Sequence, residues 1–110
     1  MTSRPGLGPK HLHLTAAAGR DLETIALYLA EQAGVEVALR YAAHLDAELT
    51  KLASLGHSGV SREWLGAGVR LHVIDNYGAY FRVTDTDTIV LRVLHGRMDA
   101  SAIVFEPPKP

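Results

Sequence analysis

At 110 residues, with 47% apolar and 21% charged side chains, the chain is long enough for one hydrophobic core and too short for two. It has no cysteine, which excludes disulfides, thiolate nucleophiles and thiolate metal sites, and no run of about 18 apolar residues that would span a membrane. A formal charge of -1 means that any nucleic-acid binding must rest on local clusters of Arg and Lys, not on the overall field.

Pro5, Gly6, Gly8 and Pro9 make residues 1–10 a flexible arm, and the absence of an apolar stretch there gives no secretory signal, so a cytoplasmic protein is expected. His11 to Thr15 alternates weakly, with Leu12 and Leu14 apolar, and reads as a short first strand. From Ala16 the period changes. Ala18, Leu22, Ile25 and Leu29 recur at three and four, which predicts a helix to about Ala33 with Thr15 as N-cap and Gly34 as its stop. A second helix follows directly, with Ala38, Tyr41, Ala42, Leu45, Leu49 and Leu52 on one face and Gly56 at its end. Two amphipathic helices joined by so short a link pack antiparallel and leave one apolar face that needs a sheet.

Residues 69–94 supply that sheet. Val69, Leu71 and Val73, then Ala79, Phe81 and Val83, then Ile89, Leu91 and Val93 are apolar at odd positions. Keeping all of them on one face of an antiparallel meander requires paired positions with an even sum, hence odd-length turns around 75–77 and 85–87. A two-residue turn at Asp75-Asn76 would carry arginines into the core, where an unpaired charge costs several kcal/mol, and is rejected on that ground. The expected register places Arg70, His72, Tyr80, Arg82 and Arg92 together on an open face, beside apolar Ile74, Val90 and Leu94. Such a face suits phosphate or carboxylate groups, and its apolar part suits a peptide; polar residues on the solvent side of an antiparallel sheet are also ordinary.

The last strand ends in His95, Gly96, Arg97, Met98 and Asp99, at one edge of the fold. His95 has the side chain of an acid or base, or of a structural histidine bonding a nearby backbone group. Asp99 can orient His95, pair with Arg97, or cap the turn. Trp64 is expected as an aromatic plug beneath the Gly-rich link between helix and sheet. His11, His13, His44, His57 and His72 lack the spacing of a metal site, and no Ser/His/Asp order, phosphate-cradling loop or carboxylate pair stands out, so neither metal nor cofactor is expected. Pro107, Pro108 and Pro110 mark residues 106–110 as a flexible tail, leaving 11–105 as the single domain.

Several of these pieces together resemble the ParE branch of the RelE/ParE superfamily, the toxin halves of bacterial type II toxin-antitoxin modules. They are Arg20-Asp21-Leu22 with Ile25 and Tyr28, then Ala38, Tyr41, Leu45, Leu52 and Ala53, then Gly68-Val69-Arg70 and Tyr80-Phe81-Arg82-Val83. The most specific piece is Arg92-Val93-Leu94-His95-Gly96-Arg97-Met98-Asp99. The resemblance implies an α+β fold of order β-α-α-β-β-β, with an antiparallel helical hairpin packed on one face of a small antiparallel sheet. It implies a ParD-like antitoxin whose C-terminal segment wraps the toxin and whose ribbon-helix-helix dimer binds operator DNA. The toxin then works within a hetero-oligomer, touches operator DNA only through the antitoxin and has no membrane role. ParE-like relatives poison DNA gyrase, with growth inhibition and plasmid stabilization as the outcome, whereas RelE-like relatives cut messenger RNA on the ribosome.

A nuclease here would draw on Arg70, Arg82 and His95, but lysines are few and no basic cluster lies between the second helix and the sheet. The expectation is therefore a non-enzymatic toxin, with the ribosome-dependent mRNA endonuclease as the alternative and an inactive, interaction-only relative as a third reading. Arg70, His72, Tyr80, Arg82, Arg92, Arg97, Met98 and Asp99 are the residues expected to meet target or antitoxin. Gly78 and Ala79 depart from the pattern by being small, and Asp75 by placing an acid near the turn.

Overall fold

Thr15 joins the first strand to the first helix and bonds to both sides of the junction. In the computed structural model, which describes residues 9–55 and 59–105, it follows β1 (His11–Leu14) and caps α1 (Ala16–Ala33). Its Oγ1 accepts from Ala18 N at 3.1 Å and donates to Leu91 O at 2.8 Å. Thr15→Ala removes both bonds and is expected to lower stability by about 1–2 kcal/mol in a urea melt, the scale of a lost N-cap. At the other end Gly34, at φ 99°, stops α1 and starts α2 (Val35–Ser54), a conformation that favours glycine. α2 ends at Leu55; Gly56, expected as its stop, lies outside the described residues, as do 1–8 of the arm and the whole of the tail. Lys10, expected in the arm, is buried, with Nζ donating to Asp85 O at 2.7 Å.

The sheet has the order β1-β5-β4-β3-β2, with β2 (Val60–Ser61), β3 (Arg70–Ile74), β4 (Tyr77–Val83) and β5 (Asp87–His95). The two-residue β2 is an addition to the expected set. β1 runs parallel to β5 and the other neighbours are antiparallel, so the sheet is mixed and not wholly antiparallel. The helical hairpin packs on one face of it. Ala18, Ile25, Leu45, Leu49 and Leu52 meet Ile74, Ala79, Phe81, Val90 and Val93 in one core. Among the described residues no helix is long and apolar enough to cross a membrane.

The strand register differs from the expected one. Ile74 pairs with Tyr77, so Asp75 and Asn76 form the two-residue turn that had been rejected. Asp75 takes φ 55°, a left-handed conformation that aspartate tolerates better than most side chains. The burial cost that argued against this turn is relieved because Arg70, carried to the helix side with Phe81, donates from Nη2 to Gly59 O at 2.8 Å. In exchange Ile74 enters the core and Val73 is left 64% exposed. A bulge then shifts β5. Tyr80 pairs with Arg92 but Phe81 pairs with Val90, which leaves Leu91 extra and lets both Val90 and Val93 point inward. Parity fails here because one inserted residue inverts it for the rest of the strand.

The second face is not open. The loop 62–68 and the C-terminal segment lie over it, with the Phe105 ring tilted against Tyr80 at 5.4 Å and Leu94, Ala100 and Val69 buried. Gly66 permits this closeness, since a Cβ there would stand 3.2 Å from Val69 Cγ2 and 3.4 Å from Arg82 Nη2. Trp64, expected as the plug, is instead 70% exposed in the short 3-10 turn Glu63–Leu65; Phe105 fills the role.

Candidate functional site

The cationic patch expected on the open face is taken apart by this register. Arg70 and His72 share the helix side with Phe81 and Ala79, whereas Tyr80 and Arg82 lie on the other side. Arg82 is buried beneath loop 62–68, its Nε donating to Ala67 O at 2.7 Å, and desolvation lowers its affinity for a proton. Arg92 is held by Asp21 of α1 through Nε and Nη2, at 2.7 and 2.9 Å. The same carboxylate accepts from Val93 N at 2.9 Å, so Arg92 closes the junction of helix and strand.

The three residues of the nuclease alternative do not converge. His95 pairs with Tyr77 at one end of β4, and Arg82 stands five residues along that strand, about 16 Å away at the usual strand rise. His95 Nδ1 accepts from Arg97 N at 3.1 Å, the structural use of a histidine at a strand end. Asp99 caps the closing 3-10 turn Ala100–Ala102, accepting from Ser101 N and Oγ at 3.0 and 2.6 Å; those bonds hold its carboxyl below the usual aspartate range. It orients neither His95 nor Arg97. Arg97 is exposed and its guanidinium makes no hydrogen bond or ion pair to the described residues, and Met98 beside it is 50% exposed.

What the fold does assemble is an aromatic groove. It lies between the two helices, the β3–β4 turn and the end of β5, and encloses about 700 Å³, within the range of ligand pockets. Ile25, Tyr28 and Leu29 of α1 and Val37 and Tyr41 of α2 form one wall; Asp75, Tyr77, Val93, His95 and Met98 form the other. A ladder of rings runs along it, His44 to Tyr41 at 5.5 Å, Tyr41 to Tyr77 at 6.0 Å, and Tyr77 edge-on to His95 at 5.5 Å. Asp75 pins the ladder to the turn. Its Oδ2 accepts from Tyr41 Oη at 2.9 Å and lies 3.0 Å from His44 Nε2. Burial, and then the Asp75 carboxylate, push the Tyr41 phenol above its ordinary value, and burial beside Tyr28 does the same to Tyr77, so both remain neutral. Among the described residues no group of three His, Cys, Asp or Glu side chains is placed to hold a metal ion.

Tyr28, Tyr41, Asp75 and Tyr77 were missed as a site because the expected odd-length turn put Asp75 and Tyr77 in a loop. The two-residue turn is what aims them at the helices. Gly78 follows Tyr77 on the far face and lines a smaller trough of about 500 Å³ that Arg97 borders.

The family model described as the ParE toxin of type II toxin-antitoxin system, parDE, matches residues 12–100. The chain belongs to the ParE toxin family. Among solved structures it is similar to one described as the chromosomal ParDE toxin-antitoxin system from P. aeruginosa, at 25% identity over 78% of this chain and 95% of that one, with a TM-score of 0.69. A second is the RelBE2 toxin-antitoxin complex from Mycobacterium tuberculosis, at 21% identity over 79% and 98% of the two chains, with a TM-score of 0.49. Comparison with curated proteins gives no match. The two-helix hairpin on a small sheet is thus the ParE arrangement, as the resemblance implied, with β1 and β2 as the strands that make the sheet mixed and five-stranded.

Proposed function

We propose that this ParE-family toxin acts without catalysis, by binding DNA gyrase, and is neutralised by a ParD-like antitoxin seated in the aromatic groove. One observation supports the non-enzymatic reading above the others: Arg70, Arg82 and His95, the groups a nuclease would draw on, and Arg92 beside them bond within the fold. Arg82 bonds Ala67, Arg92 bonds Asp21, Arg70 bonds Gly59 and the His95 Nδ1 bonds Arg97 N. Cutting RNA needs several basic groups and a proton carrier around one phosphate, and spacing alone separates Arg82 from His95. Binding needs no such convergence. The largely apolar groove suits an amphipathic segment of a partner, in keeping with the ParDE toxin-antitoxin system to which the similar P. aeruginosa structure belongs.

A gyrase cleavage-complex assay with the purified toxin, alone and with the protein encoded beside it, tests both halves. Gyrase-dependent DNA breaks that the partner suppresses are expected; ribosome-dependent cuts in messenger RNA with no gyrase-DNA adduct would overturn the reading. Arg97→Ala, at the exposed and unpaired corner, is expected to reduce toxicity at least tenfold while its melting temperature stays within about 2 °C of the parent, as for a surface change. A fall in melting temperature in step with toxicity would make Arg97 structural.

A further inference from the structure

The groove has a chemistry more specific than greasiness. Tyr28, Tyr41, Tyr77 and His95 present rings to one space. No lysine or arginine lines it, while two carboxylates do. Asp21 is consumed by Arg92 and Val93 N. Asp75 is not, because both its bonds fall on Oδ2, its Oδ1 meets no donor among the described residues, and its side chain is 53% exposed. Neutral phenol rings with electron-rich faces, closed at one end by a carboxylate with a spare oxygen, attract a cation with an apolar stem.

We infer that this groove is a receptor for an arginine side chain carried on an amphipathic segment of the partner protein. The guanidinium stacks on the Tyr41 and Tyr77 rings and donates to Asp75 Oδ1, while its stem lies along Tyr28 and Ile25. Arginine fits better than lysine, because a planar guanidinium can stack on a ring and bond a carboxylate in the same plane. An anionic segment would meet Asp75 with no counter-charge, and a wholly apolar one would desolvate that carboxylate with nothing in return. The partner in this inference rests on the antitoxin reading above; the arginine preference rests on the groove itself.

The full-length toxin can be titrated with N-acetyl-arginine amide while the tyrosine ring and Met98 methyl signals are followed by NMR, with N-acetyl-norleucine amide as the apolar control. Saturable shifts at Tyr28, Tyr41, Tyr77 and Met98 are expected, with norleucine amide at least fivefold weaker. Asp75→Asn tolerates the same backbone, can still accept from Tyr41, and is expected to weaken arginine amide at least fivefold without changing norleucine amide. Tyr28→Leu, at an exposed position, is expected to weaken it at least threefold with the fold unchanged. Equal binding of the two amides, or an Asp75→Asn protein that keeps its spectrum and its affinity, would overturn the inference. If arginine amide dissociates dimers of the toxin, the occupant is an arginine of a second copy and the partner assignment falls. A positive titration alongside a failed antitoxin or gyrase assay would leave the arginine site standing and remove the partner reading alone.

Discussion

Arg82→Ala is expected to destabilise the toxin by about 3 kcal/mol, the sum of a lost long side chain and an orphaned acceptor, and to lower its melting temperature by roughly 10–15 °C. The side chain is only 8% exposed and holds loop 62–68 to β4 through Ala67 O. Its stem also fills space against Gly68, where a Cβ would stand 3.9 Å from its Cδ and Cγ, and it lies beneath Gly66 beside Phe105. Truncation opens a cavity, strands the carbonyl and frees a loop. Arg82→Met separates these contributions. It keeps most of the volume, loses the bond to Ala67, and also removes a buried cation whose Nη2 has no partner. Exchange of a poorly paired buried charge for an apolar side chain of similar size is often neutral. The methionine variant is therefore expected to melt within about 5 °C of the parent, well above the alanine variant. An alanine variant that melts like the parent but no longer arrests growth would make Arg82 a working surface group, as the sequence pattern alone suggests.

The contrast between Arg82 and Arg97 shows what was legible in the sequence and why. The limits of α1 were legible because their signals are local: Thr15 caps through bonds within three residues, and Gly34 supplies a backbone conformation on its own. The fold class and the family were legible in the Arg92–Asp99 segment and the helix pattern. Strand parity was not, since it depends on two non-local choices. One is the length of the turn at Asp75, which carries Arg70 to the helix side, where it bonds Gly59 O in a different loop. The other is the bulge at Leu91, which inverts β5. Each reversed the side on which residues lie, so exposed arginines became buried or paired, and Tyr77 became the centre of the groove. Trp64 and Phe105 exchanged expected roles for a related reason: the segment that covers the second face comes from the far end of the chain.

The same geometry links the groove to stability. Asp75 lies in the turn that sets the register, bonds α2 through Tyr41, and offers the free oxygen of the proposed site. The groove is therefore built on a junction of sheet and helices and not on a mobile loop, which favours affinity by limiting the ordering required on binding.

The opposite wall of that groove carries the largest expected effect. β1 pairs with β5 only as far as Val90, so beyond it the outer edge of β5 lacks a strand. Asp21 supplies the missing acceptor for Val93 N and binds Arg92 in two places, with side chains 14% and 25% exposed. Asp21→Ala removes three bonds, leaves a half-buried cation and exposes an unpaired strand N–H, and is expected to cost about 3–4 kcal/mol, near the lower end for a broken buried pair because Arg92 keeps some contact with water. Arg92→Ala is expected to cost less, about 2–3 kcal/mol, because the carboxylate retains Val93 N. Since each single change strands the other member, the double variant Asp21→Ala/Arg92→Ala should lose less than the sum of the two single losses by about 1–2 kcal/mol, a coupling that a double-mutant cycle in urea measures directly. Additive losses would mean that Asp21 acts through Val93 N alone. An Arg92→Ala protein with parental stability and lost toxicity would return Arg92 to the target-binding surface.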